Sequence, residues 1–246
     1  MDSNVENSTK NCSRNVIVII PCYNAGDRIR KVVEGVLKYS VDVLIVDDGS
    51  TDGCIDGILD LPVSILSFPE NRGKGWAIIE GLRKALTNPN YQAFCFLDAD
   101  YQHDPSMLPE FISLWKATKA DLLIGQRDFK KKKTPLASKI GNSFTRFILK
   151  VLVGCPIEDT QCGYRLYSKR LAERIIGEIV PGRYETETEI LLMALEDEFI
   201  IVPLSIPTLY EKGNVSSHFR KVYDSFRIIK TILKYVFKRW LKLLFK

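Results

Sequence analysis

Features that define several common classes of protein are missing from this chain. It has only two histidines and six cysteines among 246 residues. No two cysteines form a Cys-x-x-Cys pair and no histidine clusters with them, so we do not expect a zinc site. Cys95 lies inside an apolar run, where cysteine commonly behaves as a small apolar side chain.

Long apolar segments are also missing. No stretch approaches the roughly 18 uncharged apolar residues of a membrane-spanning helix. Residues 1–14 are polar and lack the apolar centre of a signal peptide, so we expect a disordered leader there. These absences together predict a cytoplasmic location.

Two glycine-rich nucleotide-binding motifs are absent as well. There is no Gly-x-Gly-x-x-Gly after the first apolar run, which argues against a dinucleotide-dependent oxidoreductase. The absence of Gly-x-x-x-x-Gly-Lys-[Ser/Thr] argues against a P-loop NTPase. The composition, 46% hydrophobic and 26% charged with a net charge of +5, is that of a globular protein with a substantial core.

Apolar runs and helical periodicity alternate through the first half of the chain. The helices are predicted at 29–37, 76–86 and 107–117, with a further short helix capped by Ser50 or Thr51 and ending at Leu59. This order predicts an α/β fold, a mostly parallel sheet flanked by helices. The predicted strands are 16–20, 41–46, 63–68, 94–97 and 121–125.

The second half is less regular. We expect a helix over 136–153, a polar loop over 158–165 that enters a strand, and strands over 199–204 and 206–210. Glu185, Glu187 and Glu189 lie in or before a helix that ends near Leu195. The run Lys130–Lys133 is interpreted as a solvated loop, with phosphate contact as the alternative.

Polar residues follow each of the first five predicted strands. In open α/β sheets, ligands bind beyond the carboxyl ends of the strands, so this repeated placement predicts an active site there. The five clusters are Tyr23-Asn24, Asp47-Asp48, Arg72–Lys74, Asp98–Asp100 and Gln126-Arg127.

Asp98 and Asp100 come directly after an apolar strand and are two residues apart. Alternate residues of an extended segment point the same way, so both carboxylates, with Gln102, can face one spot. Mg²⁺ is typically held by one or two carboxylates plus substrate phosphates. The alternative is that the two acids only form a turn. A metal beside Lys74 and Arg127, with Asp48 suited to a base or ribose, points to a nucleotide-sugar.

Five motifs, in order, resemble those of the inverting GT-A glycosyltransferases of the family 2 type, and among them the dolichyl-phosphate mannose and glucose synthases. The likeness covers residues 15–220, which we expect to form the catalytic domain. The motifs are Ile20-Pro21-Cys22-Tyr23-Asn24, Val46 to Asp52, Asn71-x-Gly-Lys-Gly75, Leu97-Asp98-Ala99-Asp100-x-Gln102 and Gly125-Gln126-Arg127.

The resemblance implies roles for individual residues. Asp98, Asp100 and Gln102 would coordinate Mg²⁺ or Mn²⁺ on the diphosphate. Arg127, in Gly-Gln-Arg where the family usually has Gly-Ser-Arg, would contact the phosphates or the acceptor. Ser216 to Phe219 departs from the family's Gly-Glu-Ser-Lys acceptor loop, which leaves the acceptor open. The residues that would hold the nucleotide-sugar are Pro21, Tyr23, Asn24, Asp48, Lys74, Asp98, Ala99 and Asp100.

The chemistry divides on the acceptor. A lipid phosphate is already anionic and needs no general base, whereas a hydroxyl must lose its proton to a carboxylate. Asp159, which the resemblance places in the family's acidic loop, is the candidate base, with Glu158 or Glu187 as substitutes. The alternative is that Asp159 is a structural loop residue.

Residues 221–246 form a predicted amphipathic helix with a lysine every fourth residue and aromatic residues on its apolar side. Such a helix suits the interface of a membrane. The alternative is that it packs on the domain or on a second subunit. We therefore expect a peripheral enzyme at the cytoplasmic membrane face, with no nucleic acid as partner.

Three functional hypotheses follow. The first is metal-dependent, inverting transfer of a hexose from a GDP- or UDP-sugar to a polyprenyl phosphate. The second keeps the donor but transfers to a hydroxyl of a cell-surface polysaccharide or glycolipid. The third is a non-catalytic, membrane-docked module that binds nucleotide-sugars.

Overall fold

A computed structural model describes residues 15–127, 148–151, 153–155, 157–207, 209 and 221–244. Four predictions therefore lie outside the described residues: the leader over 1–14, the lysine run Lys130–Lys133, the acceptor segment Ser216–Phe219 and most of the helix over 136–153. Residues 148–151 and 153, at the end of that last segment, are helical.

The strands of the described chain form one seven-stranded sheet in the order β3-β2-β1-β4-β6-β5-β7. Strand β6 is antiparallel to both of its neighbours, and the other pairs are parallel. The prediction of an α/β fold with a mostly parallel sheet is confirmed. The strands are β1 (Val16–Cys22), β2 (Asp42–Asp47), β3 (Ser64–Ser67), β4 (Ala93–Phe96), β5 (Leu122–Arg127), β6 (Arg165–Ser168) and β7 (Ile201–Ile206).

Helices cover the sheet because their apolar residues recur at helical spacing. In the first helix Ile29, Val32, Val33 and Val36 are all buried. The central strands β1 and β4 are buried almost throughout, as expected for strands with helices on both faces. The helices are α1 (Arg28–Leu37), α2 (Lys74–Leu86), α3 (Leu108–Thr118), α4 (Lys169–Glu178), α5 (Glu185–Glu196) and α6 (Lys221–Leu244).

The antiparallel direction of strand β6 brings the loop before it to the ligand-binding edge of the sheet. Arg165, its first residue, pairs with Phe96 at the end of β4 and with Ile124 in β5. The loop that precedes β6 therefore arrives at the same edge as the carboxyl ends of the parallel strands. The residues of that loop, from 157 onward, join the site for this reason.

Three local predictions need correction. The helix capped at Ser50 or Thr51 is wrong, because only a short 3-10 turn, Asp56–Ile58, forms there. The two strands expected over 199–204 and 206–210 are one strand, β7, which ends at Ile206, while residues 208 and 210 lie outside the described part. Helix α4 was not predicted, although Ser168 caps it by accepting a hydrogen bond from the amide of Leu171.

Helix α6 packs against α5 through one side only. Asp224, Ile228 and Ile232 on that side are buried. Among the helices of the described residues, none combines the length and the apolar character that crossing a bilayer requires.

Candidate functional site

The polar clusters predicted after β1, β2, β3, β4 and β5 lie along one edge of the sheet. The parallel register of β1 with β2 and β4, and of β2 with β3, aligns the ends of these strands. The residues that follow them are tied together by hydrogen bonds and ion pairs. The sheet thus brings distant parts of the chain to one polar site.

Asp98 lies at the centre of the charged part of this site. Its Oδ1 is 2.7 Å from Nζ of Lys74, which also lies 3.0 Å from a carboxylate oxygen of Glu187. Its Oδ2 is 3.6 Å from Nε2 of His103. Burial raises the pKa of the Asp98 carboxyl, but the charges of Lys74 and His103 outweigh it, so the pKa lies well below its usual range.

The opposite shift occurs at Asp100. Burial and the neighbouring negative charge of Asp98 raise the pKa of the Asp100 carboxyl. One of its oxygens accepts a hydrogen bond of 3.0 Å from the amide of Gln102. Two carboxylates repel each other, and a cation that lies between them stabilises the pair.

The donor set of this pair fits Mg²⁺ or Mn²⁺ bound together with a diphosphate. Within the described ranges, no group of three or more His, Cys, Asp and Glu residues could hold a metal ion by itself. A cation on Asp98 and Asp100 would therefore take its other ligands from phosphate oxygens and water, which is how proteins usually hold Mg²⁺.

Asp98 is also confined by a glycine. A Cβ added at Gly163 would lie 2.1 Å from Oδ2 of Asp98, far inside van der Waals contact. The backbone before β6 therefore approaches the carboxylate as closely as the absence of a side chain permits. The Asp98 carboxylate is held by Lys74, His103 and this backbone.

The predicted catalytic pair Arg127 and Asp159 is in direct contact. Nε and Nη2 of Arg127 donate to the two oxygens of Asp159 at 2.6 and 3.0 Å, and its backbone amide donates at 3.3 Å. The Asp159 residue is 0% exposed. The structure thus brings together two residues that are 32 positions apart, as a buried bidentate ion pair.

Asp48 holds a loop at the next part of the edge. Its oxygens accept hydrogen bonds of 2.7 and 2.8 Å from the amides of Arg72 and Gly73, and one of 2.8 Å from the side chain of Asn71. Burial raises the pKa of the Asp48 carboxyl, against the effect of these amides. The prediction that Asp48 contacts the nucleoside stays a prediction, and its observed partners give it a structural role.

The segment after β1 is joined to the segment after β2. The amide of Asn24 donates to Oγ of Ser50 at 3.0 Å, and Oδ1 of Asn24 accepts from the amide of Thr51 at 2.8 Å. Ser50 and Thr51 thus bind a neighbouring loop instead of capping a helix. Pro21 and Tyr23 are partly exposed beside these contacts, and Ala99 is buried between the two acids.

Two site residues were missed from the sequence. His103, 2% exposed, lies 3.9 Å from Sγ of Cys162 as well as near Asp98. Burial lowers its pKa, but Cys162 and Asp98 outweigh burial and raise the pKa to about 10. The sequence offered one signal for this residue: His103 directly follows the predicted metal ligand Gln102, and the chain has only two histidines.

Arg165 is the second missed residue. Its fully buried guanidinium donates to the carbonyl oxygens of Thr160, Cys162 and Glu187, each at 2.8 Å. It therefore fixes the loop before β6 against the start of α5. A charged residue at the start of a short strand gives no sequence signal for such a role.

Comparison with known proteins agrees with this geometry. Residues 17–176 match the model of the family described as "Glycosyl transferase family 2". Since the match covers more than half of the chain, the chain belongs to glycosyl transferase family 2, and we regard it as a glycosyltransferase.

Two relatives match over most of the chain. A UDP-N-acetylglucosamine–dolichyl-phosphate N-acetylglucosaminyltransferase of Methanococcus voltae is 30% identical over 224 residues, covering 82% of this chain and 88% of the relative. An uncharacterized protein of Methanocaldococcus jannaschii is 29% identical over 227 residues, covering 90% and 93%.

Among solved structures, mannosyl-3-phosphoglycerate synthase from Rubrobacter xylanophilus superposes with a TM-score of 0.68 at 14% identity. The superposition covers 97% of this chain and 78% of that protein. At this identity the likeness concerns the fold alone, and it confirms the predicted GT-A architecture.

Proposed function

We propose that this glycosyltransferase transfers a hexose or hexosamine, with inversion, from a nucleotide-sugar to a polyprenyl phosphate. The observation that carries the choice of acceptor is the ion pair of Asp159 with Arg127. The best candidate for a general base is fully buried, and both of its oxygens already accept hydrogen bonds from the side chain of an arginine. An acceptor that is already anionic needs no base.

The reaction would be a single displacement. An oxygen of the lipid phosphate attacks the anomeric carbon, and the bond from that carbon to the nucleoside diphosphate breaks. The charge that develops on the leaving diphosphate requires positive partners. The Methanococcus voltae relative, whose name states a UDP-sugar and a dolichyl-phosphate acceptor, supports this assignment.

Asp98 and Asp100, with Gln102, would hold Mg²⁺ or Mn²⁺ against the diphosphate. The bound cation would neutralise charge on the phosphate oxygens. Lys74 sits 2.7 Å from Asp98 and would contact the same phosphates. The positive charge of Arg127, anchored by Asp159, would face the phosphate of donor or acceptor.

We assign the nucleoside to the segments after β1 and β2. Pro21 and Tyr23 would contact the base, and the loop held by Asn24 and Asp48 would contact the ribose. Ala99, between the two acids, would lie under the sugar. These assignments follow the family resemblance and the location of the residues at the carboxyl edge of the sheet.

One observation favours a second candidate, transfer to a hydroxyl. Glu158 is exposed beside Asp159, so a carboxylate is present that solvent can reach. In this alternative Glu158 takes the proton of the acceptor. The donor site would be unchanged.

We propose residues 15–220 as the catalytic unit and residues 221–246 as a segment that contacts the membrane. The enzyme would then act as a peripheral protein at the cytoplasmic face, where a lipid-linked acceptor is available.

The first experiment is a thermal-shift screen of nucleotide-sugars, each with Mn²⁺ and with a chelator. A ligand that binds only the folded state raises stability by RT ln(1 + [L]/Kd). We expect one donor to give a metal-dependent shift that is lost in Asp100→Asn. The absence of a shift with every donor would favour the non-catalytic binding module.

The second experiment compares two acceptors of equal chain length, a polyprenyl phosphate and the corresponding polyprenol. The proposal predicts transfer to the phosphate alone. Transfer to the polyprenol or to a saccharide, together with loss of activity in Glu158→Gln, would establish the hydroxyl alternative instead.

A further inference from the structure

Helix α6 has two apolar faces, of which the domain covers one. Ile228 and Ile232, with the partly buried Tyr235 and Val236, pack against the domain. The sequence pattern suggested a choice between packing on the domain and binding elsewhere. The structure shows the helix packed on the domain, and the packed face uses only part of its apolar residues.

The opposite side of α6 carries an exposed apolar stripe. Phe226, Leu233, Phe237 and Trp240 are 65%, 52%, 59% and 54% exposed. Their spacings of seven, four and three residues place them on one face of the helix. We call these four residues the outer stripe. Large exposed side chains gathered on one face indicate a surface that binds a partner.

A row of lysines borders the outer stripe. Lys230, Lys234 and Lys238 are all exposed and lie one turn apart along the helix. Residues 221–246 hold eight of the 35 Lys and Arg residues but one of the 30 Asp and Glu residues. The positive charge of the whole chain is therefore concentrated in this segment.

We propose that the outer stripe and its lysine row bind the surface of a bilayer that contains anionic phospholipid. Aromatic side chains insert at the level of the headgroups, and adjacent lysines bind the lipid phosphates. A second copy of the chain fits less well, because an antiparallel two-fold contact through the outer stripe would bring the two lysine rows to the same side of the interface.

The inner end of α6 leads to the candidate donor site. Arg227 donates to Glu185, which begins α5, through Nε at 2.9 Å. Nε of Arg183 lies 4.0 Å from the buried Asp224, and Nη1 of Arg183 lies 3.5 Å from the side chain of Asn71. Asn71 belongs to the loop held by Asp48. Docking of α6 on a bilayer would thus bring the donor site close to the membrane. This part of the inference rests on the proposed lipid-linked acceptor.

The test is sedimentation of the full chain with vesicles of phosphatidylcholine, with and without about 30% phosphatidylglycerol, since each lysine near an anionic surface contributes about a factor of five in binding. We expect strong binding only to the anionic vesicles. Lys230→Gln/Lys234→Gln/Lys238→Gln should weaken this binding roughly 100-fold. The matched control, Lys38→Gln/Lys84→Gln/Lys119→Gln, removes three exposed lysines elsewhere and should leave the binding unchanged.

The aromatic contribution is measured separately. Phe237→Ser/Trp240→Ser should lose vesicle binding while keeping its melting temperature, because both side chains are exposed. The fluorescence of Trp240 should shift to the blue on addition of anionic vesicles, and the shift should be absent in Trp240→Phe. If the wild type is a dimer and Phe237→Ser/Trp240→Ser is a monomer, the outer stripe binds a second copy of the chain and the proposal is overturned.

Equal binding to both vesicle types, or equal loss in the control triple variant, would also overturn it. Vesicle binding is measured without donor or acceptor, so its failure is independent of the proposed reaction. Conversely, transfer to a short-chain, water-soluble polyprenyl phosphate tests the reaction without a bilayer. The stripe variants should retain that transfer.

Discussion

Arg127 and Asp159 form a bidentate ion pair in which Nε and Nη2 of the arginine lie 2.6 and 3.0 Å from the two carboxylate oxygens. Removing one member of a buried pair leaves a charge without its partner and typically costs about 3 kcal/mol. Asp159→Asn should therefore lower the melting temperature. The double variant Arg127→Gln/Asp159→Asn should recover part of the loss.

The kinetics of Asp159→Asn distinguish a positioning role of Asp159 from a role as general base. If Asp159 only positions Arg127, Asp159→Asn should lower kcat by about 100-fold or less, as a misplaced group does. The pH dependence of kcat should then be unchanged. A loss near 10⁴-fold, with the acidic limb of the pH profile removed, would identify a general base instead.

Lys74 is expected to affect metal and donor in opposite directions. Its ammonium group lies 2.7 Å from Oδ1 of Asp98, where it competes with a cation but also attracts phosphate. Lys74→Met should strengthen Mn²⁺ binding without donor by about tenfold and weaken nucleotide-sugar binding by about tenfold, or about 1.4 kcal/mol each.

Calorimetric titration of Mn²⁺ and of the donor measures both effects. Lys84→Met, a change at an exposed position of the same helix α2, is the control. Weaker binding of both ligands in Lys74→Met would contradict the arrangement, because it would place the ammonium group outside the metal site.

Gly163 offers a test of the close approach to Asp98. A Cβ at this position would lie 2.1 Å from the carboxylate, so Gly163→Ala must displace Asp98 or the loop. We expect the metal-dependent thermal shift produced by the donor to be lost in this variant.

Gly177→Ala is the matched control for that substitution. Apart from its chain neighbours and the backbone of helix α4 itself, no atom lies within 4 Å of a Cβ at Gly177. Alanine there should stabilise the fold by about 0.5 kcal/mol, because glycine is costly within a helix. Donor binding should be unchanged. Retention of the donor shift in Gly163→Ala would show that the site tolerates a displaced Asp98.

Asp121 lies at the end of the sheet that is far from the site, and it should make the free energy of unfolding depend on pH. It accepts hydrogen bonds from Ser168, Arg170 and the amide of Ile200. Burial raises the pKa of its carboxyl, but these donors outweigh burial and lower the pKa. The stabilisation is therefore present above the unfolded pKa, about 3.9, and is lost as the pH falls through the lower folded value.

Denaturation by urea at several pH values measures this effect. Asp121→Asn should lose about 1–3 kcal/mol at pH 6, and its difference from the wild type should shrink toward pH 3. Asp60→Asn, which removes an exposed partner of Arg30, is the control. A difference that does not vary with pH would mean that the charge of Asp121 contributes nothing.

The sheet was predictable because its strands are encoded locally. The β-branched run from Val16 and the apolar run that ends at Leu97 are buried on both faces, which leaves little choice of structure. The location of Lys74, Asp98 and Arg127 at one edge followed from strand direction. Their mutual contacts did not follow, because side chains far apart in sequence meet only after the strands pair.

The errors have specific causes. Ser50 and Thr51 have the chemistry of helix caps, but Asn24 from another segment and Asp47 three residues before Ser50 supply competing partners. The antiparallel insertion of β6 depends on pairing with β4 and β5, which no short-range pattern records. His103 was missed because a single histidine has no periodicity to reveal its role.

The sequence by itself determined the alternation of strands and helices in the first half of the chain, the family resemblance and the acid pair after β4. Those features depend on short-range periodicity and on adjacent residues. The tertiary structure decided that Arg127 engages Asp159, that Lys74 engages Asp98, and which face of α6 stays exposed. These outcomes depend on competition between distant groups for the same partners and the same buried surface, which takes place only when the chain is folded.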